Sequence, residues 1–165
     1  MKTPICGVCL NSDMLCRACK LKLDSGLVTE SEIKVSKIFN NFSNKFKTLR
    51  DVTIKRVIEG ENIMVVICER GNGPKIVGKN GVIIKKISDF MGKSLRVVEE
   101  TTDVKEFVQN LIYPVPVLAL NVIYRPESEV LKIVIPGGMK IPISRKSLNE
   151  IMKQAFGKEC LVSSD

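Results

Sequence analysis

Six cysteines are the first residues in this chain with obvious chemistry, and four of them are regularly spaced. Cys6-Gly7-Val8-Cys9 and Cys16-Arg17-Ala18-Cys19 are two C-x-x-C pairs separated by six residues. Each pair can wrap two thiolates around one ion, and two pairs complete a tetrahedron. A disulfide framework is one alternative, disfavoured because nothing in the chain points to export. A redox C-x-x-C is another, but one such motif would suffice and neither pair follows a strand pattern. The spacing predicts one structural zinc ion on Cys6, Cys9, Cys16 and Cys19. Four protein ligands leave no open position, so the metal would fold the segment and not catalyse. Arg17, Lys20 and Lys22 would offset part of the negative charge of such a site. Cys68 and Cys160 lie in strand patterns and are expected to be buried, unliganded thiols.

The second chemical stretch is Gly71-Asn72-Gly73-Pro74-Lys75-Ile76-Val77-Gly78-Lys79-Asn80-Gly81-Val82-Ile83-Ile84. Residues 62–69 before it read as a buried strand. Ile83, Ile84, Ile87 and Met91 after it recur at helical spacing. Gly78 and Gly81 let the backbone turn tightly and let a ligand approach it, and amides at a helix start suit a phosphate. Two ligand-binding readings compete with a purely structural glycine turn. Gly73, four residues, then Gly78-Lys79 fits a nucleotide-binding P-loop until Asn80, which lacks the magnesium-binding hydroxyl. Val77-Gly78-Lys79-Asn80-Gly81-Val82-Ile83-Ile84 resembles at every position the signature of a KH domain. There a G-x-x-G loop clamps the backbone of single-stranded nucleic acid.

The elements that must hold these groups can be read from periodicity and caps. Thr29 with Glu32 makes a capping box, opening a helix expected to run to about residue 47. Val35, Ile38, Phe39, Phe42 and Phe46 lie on its core face. Residues 52–58 and 62–69 form a hairpin, Gly92 ends the helix after the glycine loop, and residues 95–98 form a third strand. Thr102 then caps a helix carrying Val104, Phe107, Val108 and Leu111, which stops before Pro114. A hairpin of residues 117–124 and 130–135 follows, then a helix opened at Ser144-Arg145-Lys146-Ser147 and a strand at 160–162. The second half repeats the first, with Ser144–Ser147 in place of the glycine loop.

Composition limits the functional classes. Lysine and arginine total 26 against 18 acidic residues, a net charge of +8 that fits a polyanionic partner. There is no histidine, which removes the commonest general base. Aromatics are 5% with no tryptophan, and phenylalanine falls mostly on core faces, which disfavours an aromatic base-stacking platform. The longest apolar run, residues 111–124, is broken by Pro114, Pro116 and Asn121 and is too short to span a bilayer. Met1-Lys2-Thr3-Pro4 lacks a signal-peptide core, so a cytoplasmic, reducing compartment is expected. No small-molecule substrate or enzymatic activity is expected.

The helix–strand–strand–helix–helix–strand order, taken twice, resembles the tandem prokaryotic-type (type II) KH pair of the NusA transcription factors. In particular it resembles the short archaeal NusA-like proteins. The specific points are Val77 to Ile84, the Leu111-Ile112-Tyr113-Pro114 link and the closing Gly92-Lys93 and Gly157-Lys158 turns. The expected class is therefore α+β: a four-cysteine zinc-binding module at 1–27, a KH domain at 28–101, and a degenerate KH-like domain at 102–165 without the glycine loop. The cysteine module is not part of the general family pattern. The resemblance implies single-stranded RNA binding tied to transcription elongation, termination or antitermination. The alternative is an adaptor for RNA polymerase or the ribosome with little RNA affinity of its own. The RNA site would comprise Lys75, Val77, Gly78, Lys79, Asn80, Gly81, Ile84, Lys85 and Arg96, within a stretch holding seven basic residues against Asp89 alone.

Overall fold

The computed structural model describes all 165 residues, and they form an α+β structure with two three-stranded sheets. The chain divides into two compact units. One comprises residues 1–58 and 64–100; the other comprises residues 101–165 and the hairpin tip 59–63. No helix is long and apolar enough to cross a membrane.

In the first unit the cysteine segment forms two short helices, α1 (Gly7–Leu10) and α2 (Arg17–Asp24). Ile5, Cys9, Leu10, Cys19 and Val28 make a small core of their own, with Ile33 packed against it. The segment is also tied by backbone: the Lys2 amide donates to the Val52 carbonyl at 2.9 Å, and Ile54 donates back to Lys2 at 2.8 Å.

Helix α3 (Glu30–Ser43) begins with the expected capping box: the Glu32 amide donates to Thr29 Oγ1 at 3.2 Å and the Thr29 amide to Glu32 Oε2 at 2.9 Å. It ends four residues before the expected position. Asn40, Asn41, Ser43 and Asn44 are poor helix formers, and Arg50 Nε donates to the Ser43 carbonyl at 3.3 Å. The chain then turns into a 3₁₀ helix, Lys47–Asp51, that buries Leu49. Phe46 therefore precedes that helix and is not on the α3 stripe.

Strands β1 (Ile54–Glu59), β2 (Ile63–Cys68) and β3 (Ser94–Glu99) lie in the order β1-β2-β3. The unbroken apolar run of β2 follows from its central place, which buries both faces. Between β2 and β3 come α4 (Gly73–Val77) and α5 (Val82–Met91). Val35, Phe39, Leu49, Ile76 and Ile87 form the centre of the core, each with essentially no exposure. Burying side chains of this size stabilises by roughly 1.5–3 kcal/mol each.

The second unit runs α6 (Val104–Leu111), β4 (Ala119–Arg125), β5 (Ser128–Ile135), α7 (Arg145–Phe156) and β6 (Glu159–Ser164). Its sheet has β5 at the centre, antiparallel to β4 and parallel to β6. Phe107, Val108, Leu111, Ile133, Leu148, Ile151 and Met152 are buried, and Phe107 meets Phe156 edge-on at 5.1 Å. The α6 cap is Asp103 and not Thr102. A carboxylate is the stronger acceptor, and it takes both the Lys105 and Glu106 amides. From α3 onward the two units share the order helix, strand, strand, helix, strand; α4 and the 3₁₀ turns of the first have no counterpart in the second.

Candidate functional site

The four cysteines of the N-terminal segment come together. Their sulfurs all lie within 4.8 Å of one another, with Cys6 to Cys9 at 3.5 Å and Cys6 to Cys16 at 3.8 Å. A tetrahedral ion with metal–sulfur bonds of about 2.3 Å needs sulfur–sulfur edges of about 3.8 Å. A disulfide would need about 2.05 Å, and none of the six cysteines is so paired. Backbone amides already point at the sulfurs: Cys16 donates to Cys9 Sγ at 3.1 Å and Cys6 to Cys19 Sγ at 3.4 Å. The amide and thiol of Cys9, then the Cys19 thiol, bring the exposed Cys6 thiol down to about 6. Cys9 goes the other way: the Cys16 amide is the largest single influence and lowers it, but burial and three thiol neighbours together raise it to about 12. The cluster can hold one metal ion. Cys68 and Cys160 are buried, with thiols raised to about 12 and about 11 chiefly by burial.

The glycine stretch forms a sharp turn between two helices. Pro74 stands in the first turn of α4, where its missing N–H costs nothing. The Gly78 amide closes that helix on the Pro74 carbonyl at 2.9 Å. Gly78 then adopts φ 73°, ψ 173°, a conformation essentially confined to glycine. Lys79–Gly81 make one 3₁₀ turn, with Asn80 at φ 54° and Gly81 at φ 73°. Asparagine is the non-glycine residue that best tolerates this region. The turn hands over to α5, whose first amides have no intrahelical acceptor. A P-loop joins a strand directly to a helix; here α4 intervenes, so the geometry is not that of a P-loop.

Of the expected RNA-site residues, Lys75, Lys79, Asn80 and Lys85 are exposed, while Val77, Gly78, Gly81 and Ile84 are half-buried. They follow one another along α4, the turn and the start of α5. Arg96 sits on β3, which packs against α4 and α5. Its guanidinium is half-buried, and desolvation lowers its pKa.

Residues that sequence reasoning missed position this turn. Buried Asn72 accepts the Thr53 amide on Oδ1 at 2.8 Å, and Glu99 Oε1 accepts the Gly73 amide at 3.0 Å. Thr48 Oγ1 donates to the Lys75 carbonyl at 3.3 Å. A Gly-Pro pair opening a helix was a usable signal for α4; the side-chain ties are long-range and left none. Phe39 is core, and Phe42 and Phe46, half-buried, pack against that core as expected. Phe90 is the exposed phenylalanine, and it joins Phe42 and Phe46 in a connected cluster.

In the second unit, Ser144–Ser147 is an ordinary helix start. Ser144 Oγ accepts the Ser147 amide at 3.0 Å, Ser147 is buried, and no residue there has positive φ. Lys146 pairs with Glu61 at 3.1 Å, which raises its pKa.

No family model matches the chain, and no curated protein matches it. Among solved structures it is similar to the crystal structure of APE1850, with a TM-score of 0.59 and 23% identity. That likeness covers 78% of this chain and 96% of that one. It is a likeness of fold.

Proposed function

We propose that this protein binds single-stranded RNA through a KH-type clamp in its first unit, with a degenerate KH-type second unit and a structural zinc ion on the four cysteines. The observation that carries the reading is the Gly78–Gly81 turn. It has positive φ at three of its four residues, stands at the start of α5, and is flanked by exposed Lys75, Lys79 and Lys85. Amides at the start of α5 would hold phosphates, and the lysines would add charge. Bases would lie over Val77 and Ile84, on the side of β3 and Arg96. Four thiolates without carboxylate or imidazole favour zinc over magnesium or calcium. A role in transcription elongation or termination is part of the proposal and rests on the NusA-like resemblance.

The test is the double change Lys79→Asp, Asn80→Asp, which keeps both glycines. Both positions are exposed, and acids at a helix N-terminus suit its dipole. Stability should change by less than about 1 kcal/mol. RNA affinity should fall by at least roughly 2 kcal/mol, with a flatter salt dependence, because fewer counterions are released. Fluorescence anisotropy across a salt series, with thermal melts alongside, reads both. A folded double mutant that binds like the parent would mean the turn is structural. The adaptor reading is favoured by one feature, the exposed Val8, Met14, Leu21 and Leu27 of the cysteine segment. It would be supported if parent and double mutant alike bound RNA only weakly and both kept a polymerase or ribosome partner.

A further inference from the structure

An aromatic and basic cluster stands on the first unit where α3 meets α5, beyond the residues assigned to the clamp. Phe42 and Phe46 are stacked nearly parallel, centroids 6.3 Å apart and 6° between planes. Phe90, in the last turn of α5, meets Phe42 edge-on at 5.7 Å. Lys86 Nζ sits 5.3 Å from the centre of the Phe46 ring. Phe90 is 67% exposed although it meets another ring edge-on. A phenylalanine whose surface stays open to solvent offers a stacking face. A core residue would be covered.

The charge around this cluster is of one predominant sign. Lys45 and Lys47 flank Phe46 in the chain, Lys86 is one helical turn before Phe90, and all three are exposed. None of them forms an ion pair with a carboxylate. Asp89 is the acidic neighbour on α5. Exposed Asn41 and Asn44 add amides able to meet base edges. The cluster and the turn share two elements. The 3₁₀ helix that follows Phe46 is bonded through Thr48 to Lys75, and α5 carries the chain from Val82 to Phe90 over about 12 Å.

From this geometry we propose a second contact for single-stranded RNA, in which a base stacks on Phe90 while Lys45, Lys47 and Lys86 hold the flanking phosphates. It rests on the clamp reading for the direction of the strand and extends the bound RNA past the roughly four nucleotides a KH groove holds. Base-on-aromatic stacking tolerates any sequence, and basic side chains beside it track the backbone.

The experiment uses the full chain and fluorescein-labelled RNA of degenerate sequence, four or twelve nucleotides long. Phe90→Ala and Phe90→Leu should each weaken the longer RNA about tenfold and the shorter less than twofold. Phe90→Trp introduces the sole tryptophan of the chain. Its fluorescence should be quenched by the longer RNA and not by the shorter. The Lys79→Asp, Asn80→Asp protein should lose both lengths. If the Phe90 variants bind the longer RNA as the parent does, or the tryptophan is not quenched, the stacking contact is absent and the clamp stands alone. If the loop variant binds normally while the Phe90 variants do not, the clamp reading fails and the aromatic cluster is the site. Equal losses on both lengths would show damage to the fold and not a distal contact, and a parent that binds neither RNA overturns both. The leucine and tryptophan variants preserve packing on Phe42, so a misfolded alanine variant leaves the question answerable.

Discussion

Gly78 and Gly81 share a positive φ, but their environments differ. At Gly78 a Cβ would stand 2.6 Å from Ile83 Cγ1, and ψ of 173° puts the residue where only glycine is at ease. At Gly81 the nearest atom to a Cβ is Ile84 Cγ2 at 3.8 Å, ordinary contact, and its conformation is one that asparagine accepts. Gly78→Ala should therefore cost about 2–3 kcal/mol, strain and clash together. Gly81→Ala should cost about 1 kcal/mol, and Gly81→Asn less. Urea denaturation of the three variants checks the order. Equal costs at both positions would mean that the turn is not held as described.

At the scale of elements, Glu32 does more than cap a helix. One carboxylate oxygen takes the Thr29 amide within α3; the other takes the Val57 amide of β1 at 3.1 Å, in a buried setting. The same side chain thus closes a local cap and pins α3 to the sheet. Glu32→Ala leaves the Val57 amide buried without its partner, at a cost of about 2–3 kcal/mol. Thr29→Ala removes only a cap, worth about 1 kcal/mol. A ratio near one in chemical denaturation would show that the strand contact contributes nothing.

At the scale of the molecule, the cysteine segment is covalently first yet structurally part of the first unit, through Lys2 beside β1 and through α1 against α3. Asn40 Nδ2 of α3 donates to Asn11 Oδ1 at 2.9 Å across that contact. Metal removal should therefore lower the melting temperature of the first unit and not merely loosen a tail. The purified protein should carry one equivalent of zinc by elemental analysis. A strong chelator should release it with loss of several degrees in melting temperature, as binding free energy of a structural site is folding free energy. Acid should release it too, because the ligands are thiolates and protons compete for them. Well under one equivalent of metal in protein kept reduced would overturn the assignment.

The sequence by itself determined what short-range chemistry decides. The two C-x-x-C pairs, the Thr29–Glu32 box, the glycine turn and the apolar stripes of α5 and α7 each depend on residues within a turn or two of one another. Spacing alone makes them legible. It also showed that the second half lacks the glycine turn, since Ser144 and Ser147 carry a Cβ that glycine does not. What only the tertiary structure decided is everything that depends on what stands opposite. Periodicity marks Phe42 and Phe46 as apolar positions but cannot say whether a neighbour covers them. Their half-exposure, and the place of Phe90 beside them, follow from where α5 crosses α3. Nothing in the local pattern singles out Asn72, Thr48 and Glu99. They become the supports of the glycine turn only because folding brings β1, the 3₁₀ helix and β3 within hydrogen-bonding distance of α4. Such contacts join residues tens of positions apart, and no local pattern encodes them.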